Sequence, residues 1–235
     1  MDAIGQIMRQ IQEKLFSLAD IKYKDFTASL IPTVDKETII GVRSPALRQL
    51  AKELDQDQVQ EFLDTLPHTY YEENNLHAFL IGRIKDYSQC IQRVEDFLPY
   101  IDNWATCDSL ATPIFKKHLD QVKEKVYIWL EDDYEYTVRY AIGVLMRYYL
   151  DEAFDSIYLD WVQNIDKDTY YINMMRAWYF ATALAKQEKA TYPIFEKELL
   201  DVWTHNKAIQ KCIESRRISN DLKQKLRVLK RKGHE

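Results

Sequence analysis

Two residues four apart carry the chemistry that stands out in this chain. They are Trp104 and Asp108, in Asn103-Trp104-Ala105-Thr106-Cys107-Asp108. On a helix that spacing sets an indole face and a carboxylate side by side. Both attract a cation, the indole through its ring quadrupole and the carboxylate through its charge. A second tryptophan, Trp178, stands far downstream in Ile172-Asn173-Met174-Met175-Arg176-Ala177-Trp178. Taken singly, each residue also has a plainer use. The tryptophans suit core packing, Asp108 suits a helix cap or the surface, and Arg139 suits an ion pair with Asp132 or Asp133.

Other chemistries find no support. There is no Gly-rich phosphate loop and no HExxH. The five histidines (His68, His77, His118, His205, His234) are scattered without ligand spacing, so neither a metal nor another cofactor is expected. Cys90, Cys107 and Cys212 form no CxxC pair and read as reduced thiols of a cytosolic protein. Cys107 has no local histidine to make it a nucleophile.

The elements that position these residues read as helices. The chain has 235 residues, of which 5 are glycine and 6 proline, too few for a turn-rich β fold. It is 46% hydrophobic and 29% charged, which suits one large domain or two small ones. No linker or low-complexity stretch divides it, so residues 1–235 read as one domain. No apolar run approaches the ~18 residues of a membrane span, and the N-terminus lacks a secretory pattern. A cytoplasmic monomer without a membrane partner is expected.

Ser44 and Pro45 suit the N-cap and first position of a helix whose stripe is Ala46, Leu47, Leu50, Ala51 and Leu54. Further helices are expected near 2–18, 57–65, 71–86, 90–99, 114–130, 135–150, 154–163, 169–187, 191–200, 204–216 and 220–232. Short acidic loops predict antiparallel pairs of 120–130 with 135–150, 154–163 with 169–187, and 191–200 with 204–216. Their spacing of roughly 35–40 residues is in the range of helical solenoid repeats, though an irregular bundle remains open. Segment 169–187 is apolar on most faces and must be buried or line a groove.

Charge is unevenly spread. The whole chain is −5, yet residues 206–235 hold ten Lys/Arg against three Asp/Glu, a net of +7, leaving −12 elsewhere. Such asymmetry points to an anionic partner for the basic end, or to a solvated terminal helix.

Six stretches and their order resemble a known family. They are Gly41-Val42-Arg43-Ser44-Pro45-Ala46-Leu47-Arg48-Gln49-Leu50-Ala51, then Glu73-Asn74-Asn75-Leu76-His77-Ala78-Phe79-Leu80-Ile81-Gly82. Next come Trp104-Ala105-Thr106-Cys107-Asp108 with Val138-Arg139-Tyr140-Ala141. Last is Tyr170-Tyr171-Ile172 leading to Trp178, followed by Asn206-Lys207-Ala208-Ile209-Gln210-Lys211. The set resembles the HEAT-like-repeat DNA alkylation repair proteins, the AlkD-type alkylpurine glycosylases. The resemblance implies an all-α superhelical solenoid of antiparallel helix pairs with a concave face for duplex DNA. It implies hydrolysis of the N-glycosidic bond of N3- and N7-alkylated purines, without the base flipping most glycosylases need. The family's catalytic carboxylate falls on Asp108, its cleft tryptophans on Trp104 and Trp178, and a DNA-contacting arginine on Arg139. Arg147, Lys207, Lys211 and Arg216 are the further cations expected at the DNA.

The chain departs from the family pattern in places. Pro113 follows Asp108 closely and limits any helix they share. Asn173, Met174 and Ala181 stand where active members carry basic residues. Two other readings therefore stay open, a DNA-structure binder without catalysis on the same fold and a helical adaptor for proteins.

Overall fold

The computed structural model describes residues 3–233; the expected helix start at Asp2, and His234, lie outside the described residues. The described chain is all-helical, with fourteen α-helices and no strand. It divides into two compact units, Met1–Lys117 and His118–Glu235.

Unit 1 holds α1 (Ala3–Ser17), α2 (Ile21–Leu30), α3 (Ser44–Glu53), α4 (Gln56–Asp64), α5 (Tyr71–Ile81), α6 (Tyr87–Phe97) and α7 (Trp104–Ser109). A 3-10 segment, Pro113–Lys117, closes it. Helix α5 is the axis: α3, α4, α6 and α7 all pack on it. Every residue from Glu72 to Ile81 is buried, including two glutamates, two asparagines and a histidine. A helix buried on every side takes polar groups inside with its apolar ones, and most of these find a partner; Asn74 Oδ1 and His77 Nε2 do not.

Glu72, fully buried, accepts from three successive backbone N–H groups, Ile40 at 2.8 Å, Gly41 at 2.7 Å and Val42 at 3.2 Å. Burial raises its pKa, and the three donors pull it back. Gly41 presents its N–H at φ 98°, and a Cβ there would lie 2.5 Å from the Asp20 carbonyl, so only glycine fits. Glu73 reaches back to cap its own helix, accepting from the backbone of Thr69 at 3.0 Å and Tyr70 at 2.8 Å. It also accepts from the Gln12 amide at 2.8 Å, which ties α1 to α5.

Unit 2 holds α8 (Leu119–Leu130), α9 (Glu135–Tyr148), α10 (Ile157–Gln163), α11 (Tyr170–Lys186), α12 (Glu188–Glu196), α13 (Val202–Glu214) and α14 (Asn220–Val228). Helix α11 is its centre, flanked by α9, α10, α12 and α13. It buries ten residues, eight of them apolar, among them Ile172, Met175, Tyr179 and Phe180. Arg176, only 5% exposed, is satisfied by the Val162 and Gln163 carbonyls, Asn173 and Asp201. It therefore braces α10 and the start of α13 against α11.

The structure corrects several expectations. Helix α2 has no counterpart among the expected helices: it opens on Asp20, which caps Lys22 and Tyr23, yet buries only Thr27, so it lacks a readable stripe. The helix expected over 71–86 stops at Ile81, with Gly82 as its C-cap, where a Cβ would meet the Ala111 carbonyl at 2.5 Å. The helix expected over 114–130 is broken at His118, whose backbone leaves the helical region. The helix near 191–200 starts earlier, at Glu188, and ends at Glu196. Arg43 rather than Ser44 takes the cap position of α3, with no side-chain cap bond. Pairing holds for α8 with α9 and for α10 with α11, but α12 packs on α11 and α13 on α11 and α14.

The buried polar groups of unit 1 can be tested by stability. Glu72→Gln sets an NH2 against backbone donors and removes one acceptor; it should cost about 3 kcal/mol in chemical denaturation. An unchanged midpoint would mean that the loop 40–42 does not depend on this carboxylate. A second test concerns His68 and His77, whose ring nitrogens lie 2.8 Å apart between the faces of Phe62 and Phe97. Burial pushes the His68 pKa down to about 4 and holds His77 well below its usual value. The unfolded chain takes up these protons near the usual histidine value, and the folded chain refuses them. Stability is thus complete above pH ~6.5 and is lost as pH falls toward ~4. Melting should drop between about pH 7 and pH 5, by ~2 kcal/mol for His68 alone. The variant His68→Gln with His77→Asn, which cannot titrate, should narrow that difference.

Candidate functional site

The candidate residues divide between the units. In unit 1, Trp104 and Asp108 share α7, a helix of only 6 residues. It is as short as Pro113 requires, since that proline opens the 3-10 segment that follows. So short a helix is not stable by its own hydrogen bonds and must be held from outside. Asn103, fully buried, caps it, its side chain accepting from Thr106 N–H at 2.8 Å. Thr106 Oγ1 donates to Asn75 Oδ1 of α5 at 2.7 Å and accepts from Asn103 Nδ2 at 3.0 Å. The Trp104 indole N–H donates to the Leu30 carbonyl at the end of α2, at 2.9 Å. Trp104 and Asp108 both stay partly exposed while the cap beneath them is buried. The result is a carboxylate and an indole on one rigid turn. Cys107 on the same turn is buried, which leaves it to packing.

Unit 2 brings a different set together. A groove of about 520 Å³ runs along α9, α11 and α13. Trp178, 41% exposed, stands in it. Arg147, Lys186, Lys211 and Arg217 line it, with Glu214 the one acid among the lining residues. The spacing of Trp178 and Lys186 along α11 adds a cation that the sequence pattern did not single out; so does Arg217 beside Arg216. Lys186 is paired with Asp151 at 2.8 Å. Lys211 has its pKa lowered by burial first, then by the nearby charges of Lys207 and Arg139. Cations near enough to act on Lys211 against the pull of Glu214 mark positive potential there.

The remaining candidates fall elsewhere. Arg139 is 4% exposed and donates to the Tyr171 carbonyl at 2.8 Å, bracing α9 to the first turn of α11. Lys207 lines a neighbouring groove, its ammonium 5.6 Å from the Trp203 ring centre. Arg216 is exposed and lines neither groove. Of the positions where basic residues were expected, Asn173 is buried and bonded to Asp168 and Arg176, whereas Ala181 lines the Trp178 groove. Among the described residues no group of three or more His, Cys, Asp or Glu is placed to hold a metal. Among them, too, no helix is long and apolar enough to cross a membrane. The Cys90 and Cys212 thiols are buried, their pKa values pushed up to about 12.

Comparison with known proteins adds one match. A family model described as DNA alkylation repair enzyme matches residues 11–200. No curated protein matches the chain.

The groove generates a prediction. Replacing Lys211 and Arg217 together by Gln should weaken duplex binding similarly for all sequences. It should also flatten the plot of log K against log salt by about 0.9 for each phosphate no longer neutralised. Anisotropy titrations between about 50 and 200 mM salt measure this. An unchanged slope removes the groove from the footprint, and an equal effect from Arg216→Gln shows that the charge acts without regard to the groove.

Proposed function

The chain belongs to the DNA alkylation repair enzyme family, and from that membership we propose that it is a DNA glycosylase. Its substrate in this reading is duplex DNA carrying cationic N3- or N7-alkylated purines. The observation that carries the reading is the unit 2 groove, in which an exposed indole stands among four cationic side chains. Phosphates take the cations, and these contacts fix register without reading sequence. The packing of α9, α11 and α13 side by side, with α8, α10 and α14 against them, supports a stack of helix pairs.

The chemistry follows from the substrate. An alkylated purine already carries positive charge and leaves with its bonding electrons as a neutral base, so it needs little acid assistance. What must be stabilised is positive charge growing on the deoxyribose as the bond to C1′ breaks. Asp108 is the group proposed for this task, with orientation of the attacking water as its second role. The water oxygen bonds to C1′ and its proton passes to the carboxylate or to solvent. Rigidity matters here, because a preorganised charge costs no reorganisation at the moment of reaction; the Asn103–Thr106–Asn75 relay supplies it. The indoles of Trp104 and Trp178 add cation–π stabilisation of roughly 0.5–2 kcal/mol each. A second reading, DNA-structure binding without excision, draws on Ala181, which brings no charge to the groove it lines.

Incubation with duplex containing N7-methylguanine, scored for free base and abasic sites, decides between the two. Excision by the wild type with a drop of roughly 10²–10³ in Asp108→Asn, at unchanged duplex affinity, is the expected result. Equal rates in the two proteins would overturn the role of Asp108. Duplex binding without any excision leaves the second reading standing.

A further inference from the structure

A second groove, of about 510 Å³, lies along α13 away from Trp178 and has no part in the chemistry above. One aromatic side chain, Trp203, lines it and is 40% exposed; Tyr170, 59% exposed, stands beside Trp203 at the groove's edge, their rings 5.7 Å apart and steeply tilted to one another. Together they make an exposed aromatic surface. Its charge is positive: Lys207 sits over the Trp203 ring, Lys230 lines the opposite side, and no carboxylate lines it. That opposite side is built, not loose. The backbone of residues 229–231 is strapped to α13 by His205 to the Leu229 carbonyl at 2.7 Å and by Asn206 to Arg231 at 2.8 and 2.9 Å.

The two amide side chains in the groove are held by the protein itself. Both amide atoms of Asn206 go to the Arg231 backbone, and Gln210 gives its amide N–H to Glu214 while its oxygen accepts from Lys230. What the groove offers most openly is an aromatic face and ammonium groups. That is the chemistry of sequence-tolerant stacking beside a phosphate backbone. An indole reaches the face of a base only where that base is not stacked between neighbours, which excludes the interior of a duplex. Tyr170 precedes Trp178 by eight residues on α11, and Trp203 precedes Lys211 by eight on α13. At 1.5 Å per residue the two grooves are about 12 Å apart along both helices.

We propose that the Tyr170–Trp203–Lys207–Lys230 groove binds an unpaired nucleotide of a single DNA strand where it leaves the duplex held at Trp178. The base stacks on Trp203 with Tyr170 at its side, and Lys207 and Lys230 take the flanking phosphates. This rests on the reading of the Trp178 groove as the duplex site, and the test separates the two.

Anisotropy titrations of the full chain compare a blunt duplex, the same duplex with a single-stranded overhang, and that duplex with an overhang of abasic nucleotides. The expected result is an overhang that tightens binding about tenfold over the blunt duplex, with most of the gain lost when its bases are removed. Trp203→Ala should abolish the gain and leave blunt-duplex affinity unchanged, and Trp203→Phe should keep part of it. An abasic overhang that binds as tightly as the normal one overturns the stacking site without reference to any variant. A normal overhang that adds nothing to a duplex that does bind overturns it too, while the duplex reading stands. Failure to bind any of the three DNAs removes the duplex reading and with it this proposal.

Discussion

A single buried carboxylate sets the terms for unit 1. Glu72 has no exposure to water, and its charge is tolerable only because three consecutive backbone N–H groups converge on it. The convergence requires the backbone of 40–42 to curve around the carboxylate, and the curve requires a positive φ at Gly41. That loop leads directly into α3, so the carboxylate fixes where α3 starts and how it meets α5. Glu73, the next residue, turns the other way and holds the start of α5 itself. Two adjacent acids thus pin one helix at its first turn and tie it to the loop in front of it.

The same helix carries the constraint to the candidate carboxylate. One turn further along α5, Asn75 engages Thr106, and through Thr106 and Asn103 it holds the six residues of α7. The far end of α7 is closed against α5 as well, where Gly82 lets the Ala111 carbonyl approach. Asp108 is therefore positioned by hydrogen bonds in a buried network and not by the helix it belongs to. A network of this kind is sensitive in a particular way: loss of one member leaves its partners unsatisfied in a low-dielectric interior. Its buried polar groups specify one geometry of the turn at the cost of tolerance to substitution.

Unit 2 solves a different problem. It must place cations close together and keep them charged. It does so on the edges of an apolar helix, α11, whose burial supplies the rigidity that a cluster of lysines and arginines cannot. Arg176 and Arg139 brace the unit, Arg176 through the Val162 and Gln163 carbonyls and Arg139 through that of Tyr171. Arg147, Lys211 and Arg217 shape the groove beside Trp178. Aromatic side chains follow the same division, with Tyr179 fully buried and Trp178, its neighbour, at the surface.

The helical class, most helix positions, the apolar character of α11 and the basic end of the chain are legible from composition and period alone. Each is a local property, written in residues that are near one another along the chain. The spacing of Trp104 and Asp108, read against Pro113, also holds, because a proline limits a helix whatever surrounds it. Helix α2 escapes because burial of Thr27 alone leaves no stripe to read, and the break at His118 because no residue type there announces it. That Arg139 also donates to the carbonyl of Tyr171, thirty-two residues on, leaves no mark in its own stretch of sequence. Only the tertiary structure decided which charges are consumed by bracing and which face a groove, and why Asn75 and Gly41 recur in the resemblance. Those outcomes depend on partners distant in sequence, and a hydrogen bond between distant residues leaves no periodic mark on either.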